Sequence, residues 1–444
     1  MTTSDKMELQ YVFSALSMLG IIKKEYLNDT PLCDRLSQTF VDITRIADEK
    51  LPKKNHNNTS SMLFNAFVED KYIPHMHKHN NFGMKDFYAD SGGLQMVTTG
   101  HKITPELKKQ IYKVQACDSN YAMCFDVISL DRVTKVRTLN ERTATWNKVF
   151  NSHLHVEAGS ATGKNIKEQV QYFRSVNSDA RVIVIVQGNR PQDMVDFYRA
   201  INDELDEEDY DYIGGMAVAD TCMGNKARES IDMLRAAHLI SKEAHPNLSN
   251  HLHFLGVGST SRIEPVLHLH EKYLPNIKKI SYDSTSASLT FNNGKWFGMK
   301  SIGRYFNIQV DKAFKHTYDM FEEITKDMCG RDELKSLLTD ETTGSYAMST
   351  LYGKFRSDDP NLTEGQRVLL ASFPYMYIRA VANDFVQKVD DIDEVTMKKR
   401  PFMLSLKNVE TDADMEHWLS HNRHQLASSR IKRADEDNLE DLFV

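Results

Sequence analysis

Short apolar runs ending in polar or glycine residues recur through the middle of the chain, and stretches with helical spacing separate most of them. Residues 62–68, 86–89, 121–125, 181–186, 210–213, 252–255 and 279–282 read as strands. Between them, residues 105–114, 139–150, 166–175, 191–201, 226–240 and 262–273 carry the spacing of helices. Alternation of this kind implies parallel strands joined by crossover helices. Seven strands are one short of a (β/α)8 TIM barrel, and the eighth is expected before residue 86. A barrel collects the residues at the carboxyl ends of its strands, here Asp90, Asp126, Gln187, Gly214 and Asp283, around one mouth. An open doubly wound sheet would spread those ends along a line and would usually carry a glycine-rich nucleotide fingerprint, and none follows an early strand here.

The flanks follow a different pattern. Leu9, Val12, Phe13, Leu16 and Leu19, then Leu36, Phe40, Ile43 and Ile46, sit at helical spacing, so residues 1–55 are expected to form a helical N-terminal segment. It closes on a polar linker at 51–61. The barrel is expected over 56–305, and a helical C-terminal region over 306–444, with helical patterning at 310–325 and 367–389. No internal repeat or low-complexity tract is present.

Composition narrows the classes. With 444 residues the chain can bury a large core, and 41% hydrophobic with 26% charged residues is ordinary for a soluble globular protein. A net charge of −7 argues against a strongly basic nucleic-acid binder but allows a local basic patch, such as residues 398–400 or 430–433. Five scattered cysteines without a C-x-x-C pair fit reduced thiols in a cytoplasmic compartment. The apolar stretch at 12–22 is too short to span a bilayer, so no membrane association is expected.

The first candidate chemistry is Asp90-Ser91-Gly92-Gly93. A strand delivers a carboxylate to a small hydroxyl residue and two glycines, where the backbone can turn sharply and pass close to a flat ligand. Alone, the run is equally a solvated turn. His75, His77 and His79 alternate as metal ligands on a strand do, yet a solvated or phosphate-contacting loop is the expectation. His251 and His253 begin their strand, away from the mouth, and are expected to be structural. His268 and His270 are expected on a helix surface.

In combination and order, these pieces resemble the tRNA-guanine transglycosylase family, whose members exchange guanine in nucleic acid for a 7-deazaguanine base. The matching runs are Asp90-Ser-Gly-Gly-Leu-Gln95, Ile103-Thr-Pro-Glu-Leu, Met123-Cys-Phe-Asp126, Leu139-Asn-Glu-Arg142-Thr-Ala-Thr-Trp146, Val186-Gln-Gly188, Ile213-Gly-Gly-Met-Ala-Val218, Leu255-Gly-Val-Gly258 and Tyr282-Asp283. They cover about residues 60 to 300. The resemblance implies a (β/α)8 barrel and a role for each matching residue. Asp283 would be the nucleophile that attacks C1′ and forms a covalent glycosyl-enzyme. Asp90 would be the general acid/base. Asp126 would accept from guanine N1–H and the exocyclic amine, Gln187 and the backbone at Gly214 and Gly215 would read the O6 edge, and Ser91 and Gly92 would flank the base. Ala219-Asp220 stands where the tRNA enzymes often have Gly-Glu near the 7-substituent.

Two departures direct the expectation toward DNA. The tRNA enzymes carry a Cys-x-Cys-x-x-Cys…His zinc site, whereas here only Cys329 lies beyond Cys222, so no zinc subdomain is expected. Their nucleophile also precedes an arginine-bearing run that grips the anticodon loop. Here the run is Asp283-Ser-Thr-Ser-Ala-Ser-Leu289-Thr-Phe-Asn292-Asn293-Gly294, in which Leu289 and Asn292 replace the arginines. The chain therefore resembles most the DNA-modifying branch of the family, found in phages and in bacterial DNA-modification clusters. That resemblance implies a deoxyguanosine flipped out of double-stranded DNA and a free 7-deazaguanine base as partners, and no cofactor. The compartment would be the cytoplasm, the host's for a phage-encoded chain. His75, His77, His79 and Asn293 are the candidate nucleic-acid contacts. A zinc-free tRNA transglycosylase and an inactive paralogue serving as a nucleic-acid-binding subunit are the competing readings. A metal-dependent barrel hydrolase ranks below both.

Overall fold

The structure, a computed structural model, describes residues 7–14, 30–50, 57–67, 73–78, 80–93, 102–137, 144–150, 155–220, 227–257, 260–284, 301–302, 305–306, 405, 408–409 and 411–422. Eight parallel strands close into a barrel with helices between them. The strands are β1 (Glu8–Ser14), β2 (Asn57–Asn65), β3 (Asp86–Asp90), β4 (Tyr121–Met123), β7 (Arg181–Gly188), β8 (Ile213–Asp220), β9 (His251–Phe254) and β10 (Lys279–Ser284). Around the barrel they run β1-β10-β9-β8-β7-β4-β3-β2. Closure leaves no strand edge open in the barrel. Covered on both faces, β7 is one apolar run, with Val182 to Val186 all buried.

The helices between strands include α1 (Thr30–Lys50), α2 (Ile73–Lys78), α3 (Pro105–Asp118), α4 (His155–Ser175), α5 (Pro191–Asn202), α6 (Ala227–Ser241), α7 (Pro246–Ser249) and α8 (Thr260–Tyr273). The Ile103-Thr-Pro-Glu-Leu run is a helix start: Leu107 N–H donates to the Thr104 hydroxyl at 3.2 Å, with Pro105 at the first helical position. Helix faces are apolar where they meet the strands, as at Ile166, Val170 and Phe173 of α4. Each such side chain contributes about 2–3 kcal/mol by leaving water.

The chain divides into two compact units. One holds Met1–Tyr88 with Asp283–Asp390, and the other holds Ala89–Tyr282 with Asp391–Val444.

Several elements differ from the expectation. Residues 8–14 form β1, the barrel's eighth strand, and not part of a helical segment, so the boundary expected at 55 falls inside the barrel's own sequence. Leu9, Gln10, Tyr11, Val12 and Phe13 are all buried, and a strand covered on both faces needs no alternation, so its spacing mimics a helix. The later half of that segment is helical, as α1. Strand β2 begins five residues earlier than the expected 62, inside the presumed linker. The stretch 139–150, read as a helix, contributes β6 (Ala144–Phe150), which pairs antiparallel with β5 (Leu130–Arg137). Its Thr145, Trp146, Val149 and Phe150 are strand formers. Residues 207–212 form a 3-10 turn, and the strand read at 210–213 runs from Ile213 to Asp220. His75 and His77 lie on α2, not in a loop. His270, expected on a surface, is buried, with Nδ1 2.6 Å from Leu267 O. The helical patterning at 310–325 and 367–389 lies outside the described residues. Beyond residue 300 a short hairpin, β11 (Ser301–Ile302) with β12 (Tyr305–Phe306), and helix α9 (Asp412–His421) are described. No described helix is long and apolar enough to cross a membrane.

Candidate active site

Asp90 is the last residue of β3 and is partly buried. The loop after it turns through Gly92 at φ +75°, a conformation that side chains rarely adopt. Ser91 is fully buried, and its hydroxyl accepts from Gly93 N–H at 3.4 Å. A Cβ placed on Gly93 would lie 3.6 Å from both Asp126 Oδ1 and Ser91 Oγ, so this loop runs directly beside Asp126.

Asp126 lies three residues beyond the end of β4, the neighbour of β3 in the barrel. Gln187, near the carboxyl end of β7, donates from Nε2 to Asp126 Oδ2 at 3.0 Å and to Val127 O at 3.1 Å. Burial, and next the negative charge of Asp90, pushes the Asp126 carboxyl up to about 7, against the pull of hydrogen bonds from its own backbone and from Gln187. Asp126 therefore changes charge near neutral pH, which marks it as a candidate functional group. The same surroundings lift the buried Cys124 thiol: burial first, then Asp126, with Asp90 adding to it.

Asp283 is the fifth residue of β10 and is partly buried. On β1, next to β10 in the barrel order, the buried Tyr11 phenol is held above its ordinary value by burial and then by the charge of Asp283. Lower on β10, Ser281 Oγ lies 2.6 Å from His251 Nε2 and 2.7 Å from His253 Nδ1. All three residues are buried, which agrees with the structural role expected of the two histidines. Burial, then Lys279 and His253, keeps His251 well below its ordinary value, so it is neutral.

Not every expected residue lies beside Asp126 and Gln187. Gly214 and Gly215 open β8 instead of ending a strand, because the apolar run Met216–Ala219 continues the strand beyond them. A Cβ on Gly214 would fall 2.6 Å from Arg181 Cβ, and one on Gly215 would fall 2.5 Å from His251 O, so both glycines serve close packing at the amino end of the strands. In register with Gln187 and Gly188 on β8 are Ala219 and Asp220. The exposed His77 lies 2.8 Å through Nδ1 from Asn81 Oδ1. On a helix, positions two apart do not share a face, so the strand-like spacing behind a shared ligand set is gone. His79 and Asn293 lie outside the described residues, as do Leu289 and Asn292.

Four residues with a clear part in this geometry went unread in the sequence. Gln115 of α3 donates from Nε2 to Ala89 O at 3.0 Å and to Met123 O at 2.8 Å, tying β3 to β4 just before Asp90. Gln169 of α4 donates to Gln115 Oε1 at 2.7 Å. Thr162 and Asn165 of α4 bond the peptides on either side of Asp126. The sequence marks them only as polar residues at 162, 165 and 169 on the face of α4 that also carries Ile166, Val170 and Phe173, without showing what they bond.

Fold and geometry together define a class, a closed (β/α)8 barrel with Asp90 and Asp126 at the carboxyl ends of the neighbouring strands β3 and β4. No protein-family model matches the chain, and no curated protein matches it.

Proposed function

We propose that the protein is a DNA-guanine transglycosylase, exchanging guanine in double-stranded DNA for a 7-deazaguanine base. The observation that carries this reading is Asp126, bonded to Gln187 and within reach of the charge on Asp90. Ionised, Asp126 offers two acceptors to the N1–H and exocyclic N–H of a guanine-like base, and the carboxamide of Gln187 can turn to its O6 edge. On this reading the backbone of Ala219, in register with Gln187, would serve the O6 edge in place of the two glycines.

On this reading, a flipped deoxyguanosine presents C1′ to the Asp283 carboxylate. The oxygen of Asp283 bonds to C1′ as the C1′–N9 bond breaks, and Asp90, as an acid, gives its proton to the departing purine. The incoming base then loses its N9 proton to Asp90, its nitrogen bonds to C1′, and the ester to Asp283 breaks. Two carboxylates with separate duties suit an oxocarbenium-like displacement of this kind. DNA is favoured over tRNA by the lack of a zinc-binding cysteine set and by Leu289 and Asn292 where the tRNA enzymes have arginines.

The test is guanine release from labelled duplex DNA and from labelled tRNA, each in the presence of a panel of 7-deazaguanine bases. Release from DNA is expected. Release from tRNA alone would overturn the choice of polynucleotide, and release from neither would overturn the activity.

A further inference from the structure

The segment bearing Asp126 is not held by a β-ladder. Strand β4 ends at Met123, and although Cys124 N–H still donates to Ile183 O at 3.0 Å, Ile185 N–H meets the Cys124 sulfur at 3.1 Å where a carbonyl would otherwise accept. Beyond that point side chains replace the neighbouring strand. Asn165 Nδ2 donates to Phe125 O at 2.9 Å, and Val127 N–H donates to Thr162 Oγ1 at 2.9 Å. Thr162 directs its own proton to Ala158 O at 2.8 Å, which leaves its oxygen lone pair facing Val127. Asn165 is braced in turn, its Oδ1 accepting from Lys108 Nζ at 3.0 Å, and Lys108 also pairs with Glu168. Further along, Ser129 Oγ lies 3.0 Å from His155 Nδ1.

His155, Thr162, Asn165 and Gln169 are spaced seven, three and four residues apart, so they form one stripe along α4. Through Gln169 and Gln115 that stripe also reaches Ala89 O, the carbonyl just before Asp90. A helix that only covered a barrel would present aliphatic residues at these positions, as α4 does with Ile166 and Val170.

We propose that Thr162 and Asn165 are positioning residues for Asp126, clamping the peptides on both sides of it so that its carboxylate stays in place to bind a purine. The catalytic part of this inference rests on the transglycosylase reading, whereas the clamp itself does not. Carboxylates that read hydrogen-bond edges lose selectivity with sub-ångström displacement, and among the described residues the peptides on both sides of Asp126 are bonded to side chains of α4 and not to a neighbouring strand.

Thr162→Val keeps the shape and removes the acceptor, and Thr162→Ser keeps the acceptor. For Thr162→Val we expect KM for the incoming base to rise about threefold to tenfold, the range of one lost hydrogen bond, with kcat within about twofold. Thr162→Ser should match the parent. Titration of 13C-labelled aspartate carboxyls by NMR should show the Asp126 midpoint moved in Thr162→Val and unmoved in Thr162→Ser. Should Thr162→Val fail to fold, Asn165→Ala, at a partly exposed position, carries the same two readouts. The inference is overturned if the variant loses only thermal stability while base KM and the Asp126 midpoint stay as in the parent. If the parent exchanges no base at all, the transglycosylase reading fails, and the titration still decides the clamp.

Discussion

Two polar clusters at strands that carry a candidate aspartate are built by opposite means. Around Asp126, helix side chains bond to backbone: Asn165 to Phe125 O, Thr162 to Val127 N–H, Gln115 to Ala89 O and Met123 O. On β9 and β10, below Asp283, side chains bond to one another, with Ser281 between His251 and His253. There the backbone is already fixed, since Lys279 to Tyr282 pair in register with His251 to Phe254. The two clusters therefore act on different properties. Backbone-directed bonds fix the place of a residue outside any ladder, so their loss falls on ligand binding. Bonds among buried side chains satisfy polar groups that would otherwise be desolvated, so their loss falls on stability.

Ser281→Val breaks the second cluster hardest. It strands two buried imidazole nitrogens, and a loss of about 4 kcal/mol is expected in denaturant unfolding. An unchanged midpoint would show that the cluster contributes nothing to stability. Gly215→Ala strikes the same end of the barrel by crowding His251 O, which stands 2.5 Å from the added carbon, and should cost about 3 kcal/mol. If that variant stays stable but binds base more weakly, Gly215 belongs with Asp126 after all.

Asp126→Asn sharpens the contrast from the other side, because it should stabilise. Between about pH 4, where a free aspartate titrates, and about 7, where Asp126 does, the folded protein holds a proton that the unfolded chain has released. Raising the pH through that window therefore lowers the stability of the parent. The rise corresponds to about 4 kcal/mol at full burial, and the solvent-facing edge of Asp126 reduces this to about 2 kcal/mol. Asp126→Asn should gain that amount at pH 8 and nothing near pH 4, measured by unfolding at both, while losing purine binding. Equal stability of the two proteins at pH 8 would contradict the proton held at Asp126.

Much of this was legible in the chain. Barrel strands covered on both faces read as continuous apolar runs, which is why β7 and β10 were located from residues 181–186 and 279–282 alone. The same property concealed β1: five consecutive buried residues carry no period, and Leu9, Val12 and Phe13 fall at helical spacing by coincidence. Gly214 and Gly215 suggest the end of a strand in sequence, whereas in the structure they admit Arg181 and His251 against its start. Asp90, Asp126 and Gln187 were legible because polar residues at strand ends stand out. Thr162, Asn165 and Gln169 were not, because α4 was read for its apolar positions and a polar residue on a buried helix face shows its partner only in three dimensions.

On the proposed transglycosylase reading, Asp283 forms a covalent bond to a deoxyribose whose guanine has left. The most direct test of this step is to quench the protein in acid during a single turnover on duplex DNA, digest it, and locate the adduct by mass spectrometry. A deoxyribosyl adduct on the peptide containing Asp283, in step with released guanine and absent from Asp283→Asn, is the predicted result. Guanine release that continues undiminished in Asp283→Asn, or an adduct on any other residue, would contradict it.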